Sequence, residues 1–175
     1  EAAGGKGGAG IGGGRAGHDN IGGESCPITI NLDKTEYKEN PKAAANYVIA
    51  EGGDGAAGIG SGGARSSGAS PNDAEEISIK GGYIYAEGGK EGEIQGGAGA
   101  GIGGGNGGAK LKSLTVDGGI VDAHAGYAEK RNAFDIGSGG NDDARSDYKS
   151  KVTIRKGTVW GWISNDGSNT VVDGG

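Results

Sequence analysis

The sequence predicts an all-β chain wound as a right-handed, single-stranded parallel β-helix (β-solenoid), and three observations point there. The glycines recur instead of scattering, a short aliphatic-hydroxyl-aliphatic string repeats beside them, and the apolar fraction is small. With 44 Gly and 3 Pro in 175 residues, the chain reaches the level at which aperiodic sequences stay disordered. Only 33% of residues are hydrophobic, with one Phe and no Met. Stacked repeats tolerate so thin a core, because each unit buries its inward file against its neighbours.

The string Ala-Gly-Ile-Gly occurs at residues 9–12, 57–60 and 100–103, and Phe134-Asp135-Ile136-Gly137 is a diverged copy. Its isoleucines, Ile11, Ile59, Ile102 and Ile136, lie 48, 43 and 34 residues apart. Between them runs the second string: Ile77-Ser78-Ile79, Leu114-Thr115-Val116 and Val152-Thr153-Ile154. Each copy continues through a glycine corner into another short strand, as in Tyr83-Ile84-Tyr85-Ala86. An interrupted copy, Ile28-Thr29-Ile30 and Tyr47-Val48-Ile49-Ala50, comes first.

Strand side chains alternate faces. Ile77, Ile79, Leu114, Val116, Val152 and Ile154 therefore point inward, and Thr29, Ser78, Thr115 and Thr153 outward. Past the corner, Ile84, Val121 and Val159 point inward with Ala86 and Ala123. Asp122 sets that phase, since a carboxylate in so thin a core is costly.

The coil length is read from Val116, Ile136, Ile154 and Val172, at intervals of 20, 18 and 18 residues. One coil per 18–20 residues makes each repeat two coils, with surplus length leaving as loops. Repeats start near residues 5, 53, 96 and 132 of one domain, 1–175. An irregular insertion at 31–46, interrupted by Pro41, is expected to protrude with at most one helical turn. It either covers the flank or contacts a ligand. Neither end reads as a polar cap, so the chain is expected either to be a piece of a longer array or to stack end to end.

Composition excludes several functions. A formal charge of −6 disfavours nucleic acid, whose affinity comes from cations that neutralise phosphates. No stretch is long and apolar enough for membrane insertion. Cys26 has no partner for an internal disulfide. Residues 8–13 match the Gly-x-Gly-x-x-Gly spacing of dinucleotide sites, but the match recurs without a helix and belongs to the repeat. His18 and His124 lie in different repeats, and neither makes a triad. Catalytic residues and a resident cofactor are therefore not expected. Calcium is the one ion weighed, with Asp142, Asp143 and Asp166 in Asx-rich turns as its candidate ligands.

Tyr47, Tyr83, Tyr85 and Trp160, with Trp162 just beyond, are expected to form an exposed aromatic strip. Such a strip stacks on sugar rings or forms an interface, unless loops or another chain cover it.

The strings Ala-Gly-Ile-Gly-Gly-Gly and Ile-Ser-Ile-x-Gly-Gly-x-Ile-x-Ala-x-Gly-Gly resemble the glycine-rich repeats of large bacterial cell-surface, adhesin-like proteins. The resemblance covers most of the chain outside 31–46. It implies secretion to the cell surface and polysaccharide contact. The expected function is thus a non-catalytic extracellular structural or adhesive module, with polysaccharide or self as partner. A self-assembling extracellular filament subunit is the alternative, and a polysaccharide lyase or hydrolase the third.

Overall fold

The computed structural model describes residues 1–15, 23, 25–64, 72–91, 97–129, 132–140, 150–163 and 170–172. Their strands fall into five tiers along the chain. The first holds β1 (Ala2–Ala3), β2 (Ile11–Gly12) and β3 (Ile28–Ile30). The second holds β4 (Tyr47–Glu51), β5 (Ile59–Gly60) and β6 (Ala74–Ile79). Next come β7 (Tyr83–Glu87), β8 (Ile102–Gly103) and the first half of β9 (Leu111–His124). The second half of β9, β10 (Ile136–Gly137) and the first half of β11 (Lys151–Trp160) make the fourth tier. The rest of β11, Ile163 and β12 (Thr170–Val172) complete the fifth.

Strands of successive tiers pair in parallel. An eight-stranded sheet follows β1-β4-β7-β9-β11-β12, with β3 and β6 joining it beside β9, and β2, β5, β8 and β10 form a four-stranded sheet. The registers match equivalent repeat positions. Ile28 lies against Ile77, Ile77 against Leu114, and Leu114 against Val152. In the small sheet Ile11, Ile59, Ile102 and Ile136 stand in line.

These pairings overturn the single-stranded β-helix of 18–20 residues per coil. Val116 lies directly against Ile154, and Ile136 sits in the other sheet, against Ile102. One repeat therefore makes one tier shared between two parallel sheets, where two coils were expected. The error came from taking Val116, Ile136 and Ile154 as one file of successive coils. Lengthening a connection costs little, so surplus length between strands is tolerated. The right-handed coil falls with that count, as do the terms solenoid and β-helix. The parallel-sheet fold also lends no support to the adhesin, extracellular or carbohydrate-binding reading, because a fold does not select an address or a ligand.

The local alternation holds. Ile77, Ile79, Leu114, Val116 and Val152 are buried with Ile84, Val121 and the alanine file Ala50, Ala86 and Ala123. They share one core with Ile59, Ile102 and Ile136 of the small sheet. Parallel sheets commonly bury both faces; here each presents one face to this core.

The Ala-Gly-Ile-Gly string makes a tight U-turn around its isoleucine. Ala9, Ala57, Ala100 and Phe134 each donate their N–H to the carbonyl four residues on, at Gly13, Ser61, Gly104 and Ser138. The glycine after the isoleucine has φ of 130° at Gly12, 139° at Gly60 and 137° at Gly103, a region that L side chains rarely adopt. The glycine before it, at positions 10, 58 and 101, lies where a Cβ would come within 2.8 Å of neighbouring backbone. Hence these three copies carry glycine on both sides of one apolar residue, and the positive φ after it recurs in the fourth copy at Gly137, with 136°.

Candidate functional site

The insertion positions most of the aromatic strip. Leu32 packs at the Gly81–Gly82 corner, and a 3-10 turn at Pro41–Ala43 is capped by Asn40, whose side chain accepts from the Lys42 N–H at 3.0 Å. Between these anchors Tyr37 lies over Tyr83, with ring centroids 5.9 Å apart. It also meets Trp160 edge-on at 4.9 Å. Tyr83 is consequently 1% exposed, a correction to its place in an exposed strip. Tyr47, in register with Tyr83, is half-buried. Tyr85 is also half-buried and lies beside His124, at 5.3 Å. Trp160 is 40% exposed and Trp162 78%. The strip is thus one cluster, buried at Tyr83 and open at Trp160, plus a separate Trp162.

Asp122 joins the cluster. It accepts from the Tyr83 hydroxyl at 3.2 Å and pairs with His124 at 2.9 Å. Tyr85 donates to Glu87 at 2.9 Å. Burial first, then the neighbouring Asp122, pushes the Tyr83 phenol up from 10.0 to about 12. Burial followed by the Glu87 hydrogen bond does the same for Tyr85, also to about 12. A pKa raised on folding means that the fold favours the neutral phenol. This contribution is full below pH 10, the ordinary value, and is lost as pH rises through about 12. In a titration followed at 295 nm, two of the six tyrosines should ionise late, together with loss of the β-sheet circular dichroism. Ionisation of all six near pH 10, with the sheets intact, would contradict this reading.

A second site lies at the fourth repeat, where the motif departs twice from its pattern. Phe134 replaces the alanine of Ala9, Ala57 and Ala100, and Asp135 replaces the first glycine. In earlier tiers the N–H groups of Gly4, Gly52 and Gly88 donate to the carbonyls of Glu51, Glu87 and His124 in the next tier. At the equivalent Ala125 that ladder stops. The Asp135 carboxylate takes the Ala125 N–H at 2.6 Å and the Trp162 N–H at 2.7 Å. The chain turns aside there and leaves a cleft of about 320 Å3 lined by Tyr127, Asn132, Phe134 and Trp162. Tyr127 is 75% exposed. Sequence reasoning missed Tyr127, Phe134 and Asp135; the paired departure at one motif position was the signal that could have found them.

Asp142, Asp143 and Asp166, the calcium candidates, and His18 lie outside the described residues. Among the described residues no three His, Cys, Asp or Glu side chains gather as a metal site. No family model, curated protein or solved structure matches the chain.

Proposed function

We propose that the chain is a non-catalytic structural module that joins a second copy of itself through the open edges of its parallel sheets. The observation that supports this is the pairing at the outer tiers. Among the described residues, β1, β2 and β3 each pair on one side only, and so do β12 and Ile163. A strand paired on one side only is a template for further strands. β2, β3 and the last half of β11 contain no proline to blunt them. Ile11 and Ile28 are half-buried, whereas their second-tier counterparts Ile59 and Ile77 are fully covered. A β12 set against another copy's β3 continues the ladder in which Thr170 already follows Val152. Three carboxylates are engaged within the fold: Asp117 pairs with Arg155, Glu75 with Lys112, and Asp135 with main-chain amides.

Thr29→Pro tests the edge. Ile30 accepts from Lys80 on the β6 side, so alternation along the strand turns the Thr29 amide to the open side. Proline there removes an outward donor and leaves the β6 pairing intact. Sedimentation velocity over a range of concentrations should show assembly of the parent chain and its loss in Thr29→Pro, with melting unchanged. A parent chain that stays monomeric throughout would refute the proposal, and so would assembly that Thr29→Pro leaves unaltered.

A further inference from the structure

We propose that the cleft at the fourth repeat binds an organic cation, of the alkylated ammonium class. Its lining includes three aromatic residues, Tyr127, Phe134 and Trp162, beside Ala125, Gly126, Asn132 and Ala133, and none of the three stacks on another described ring. Separate π faces around one space suit a ligand set between them. Ring faces carry negative quadrupole density, so their ligand of choice is a cation whose charge is spread over methyl groups and weakly hydrated. Trp, the strongest such face, is also the most exposed of the three.

The electrostatics agree. Asp135 bonds the amides of two residues that line the cleft, Ala125 and Trp162, which sets its negative charge behind that lining. The chain carries a formal charge of −6, which draws cations toward it. The cleft, at about 320 Å3, lies at the small end of ligand pockets and suits a choline-sized group. Nor does the repeat require these residues. Earlier copies make the same turn with alanine and glycine where Phe134 and Asp135 stand, so the turn itself does not call for the Phe134 ring.

The test is a fluorescence titration in a Trp160→Phe background, so that the signal reports Trp162. The probes are choline and tetramethylammonium at constant ionic strength. The neutral isostere 3,3-dimethylbutanol and methyl glucoside serve as competing arms. Saturable quenching by both cations is expected, with the neutral isostere about tenfold weaker. Tyr127→Leu should weaken choline about tenfold without altering the melt, since that side chain is mostly exposed. Asp135→Asn should weaken choline severalfold and flatten its dependence on salt. Equal binding of the neutral isostere would show an apolar pocket and overturn the proposal. Preference for the glucoside, or no saturation with either cation, would overturn it as well.

Discussion

Replacing Gly60 by alanine is expected to cost roughly 3–5 kcal/mol, a large share of an ordinary chain's stability, from a strained φ combined with a backbone clash. At a φ of 139° no L side chain is comfortable, and the new methyl would land on the carbonyl oxygen of Gly103 in the next tier. The same contact recurs from Gly12 to Gly60 and from Gly103 to Gly137. The tiers must therefore part at the place where Ile59 and Ile102 stack. Gly5→Ala is the control, because nothing lies within 4 Å of its would-be Cβ. It should change stability by less than about 0.5 kcal/mol. Urea unfolding of the two variants decides the matter. If Gly60→Ala is as stable as Gly5→Ala, the close stacking described for the small sheet is wrong.

Ile102→Ala carries the next largest effect. Ile102 is fully buried between Ile59 and Ile136 and belongs to the core that both sheets share. Truncating it should cost about 3–4 kcal/mol, for lost burial and for a cavity that stacked backbone cannot collapse to fill. Ile11→Ala removes the same group from the open edge, where it is half-buried, and should cost about 1 kcal/mol. The ratio is diagnostic. Equal losses at both positions, again by urea unfolding, would mean that Ile11 is covered by another tier in solution, which the self-pairing proposed above would produce. Repeating Ile11→Ala in the Thr29→Pro background separates the two causes.

The parts of the architecture that were legible in the sequence are the local ones. Ile77-Ser78-Ile79 and its copies announce their inward and outward faces through a period of two, which no distant contact alters. Which strand neighbours which is not written at that range. Val116, Ile136 and Ile154 fall at even intervals, yet Ile136 belongs to a different sheet, because the turn around it holds it beside Ile102. Spacing counts residues along the chain and does not distinguish strand from connection. The aromatic strip failed for a related reason. The alternation placed Tyr83 outward, but only the landing of Tyr37, from an insertion with no repeat pattern, decides that it is buried. Phe134 and Asp135 were visible as departures, but a degenerate copy and a specialised one look the same until the Asp135 hydrogen bonds are seen.

The insertion has a mechanical consequence. It leaves the stack after β3 in the first tier and re-enters at β4 in the second, yet Tyr37 touches Tyr83 in the third and Trp160 in the fifth. Lys42 reaches back to Glu1 at 2.8 Å, beside the first strand. The segment thus runs like a cord across tiers whose strands, among the described residues, pair only with those of neighbouring tiers. A pull across the tiers loads the cord as well as the strand ladders. Separating the fifth tier from the fourth also breaks the Tyr37–Trp160 contact.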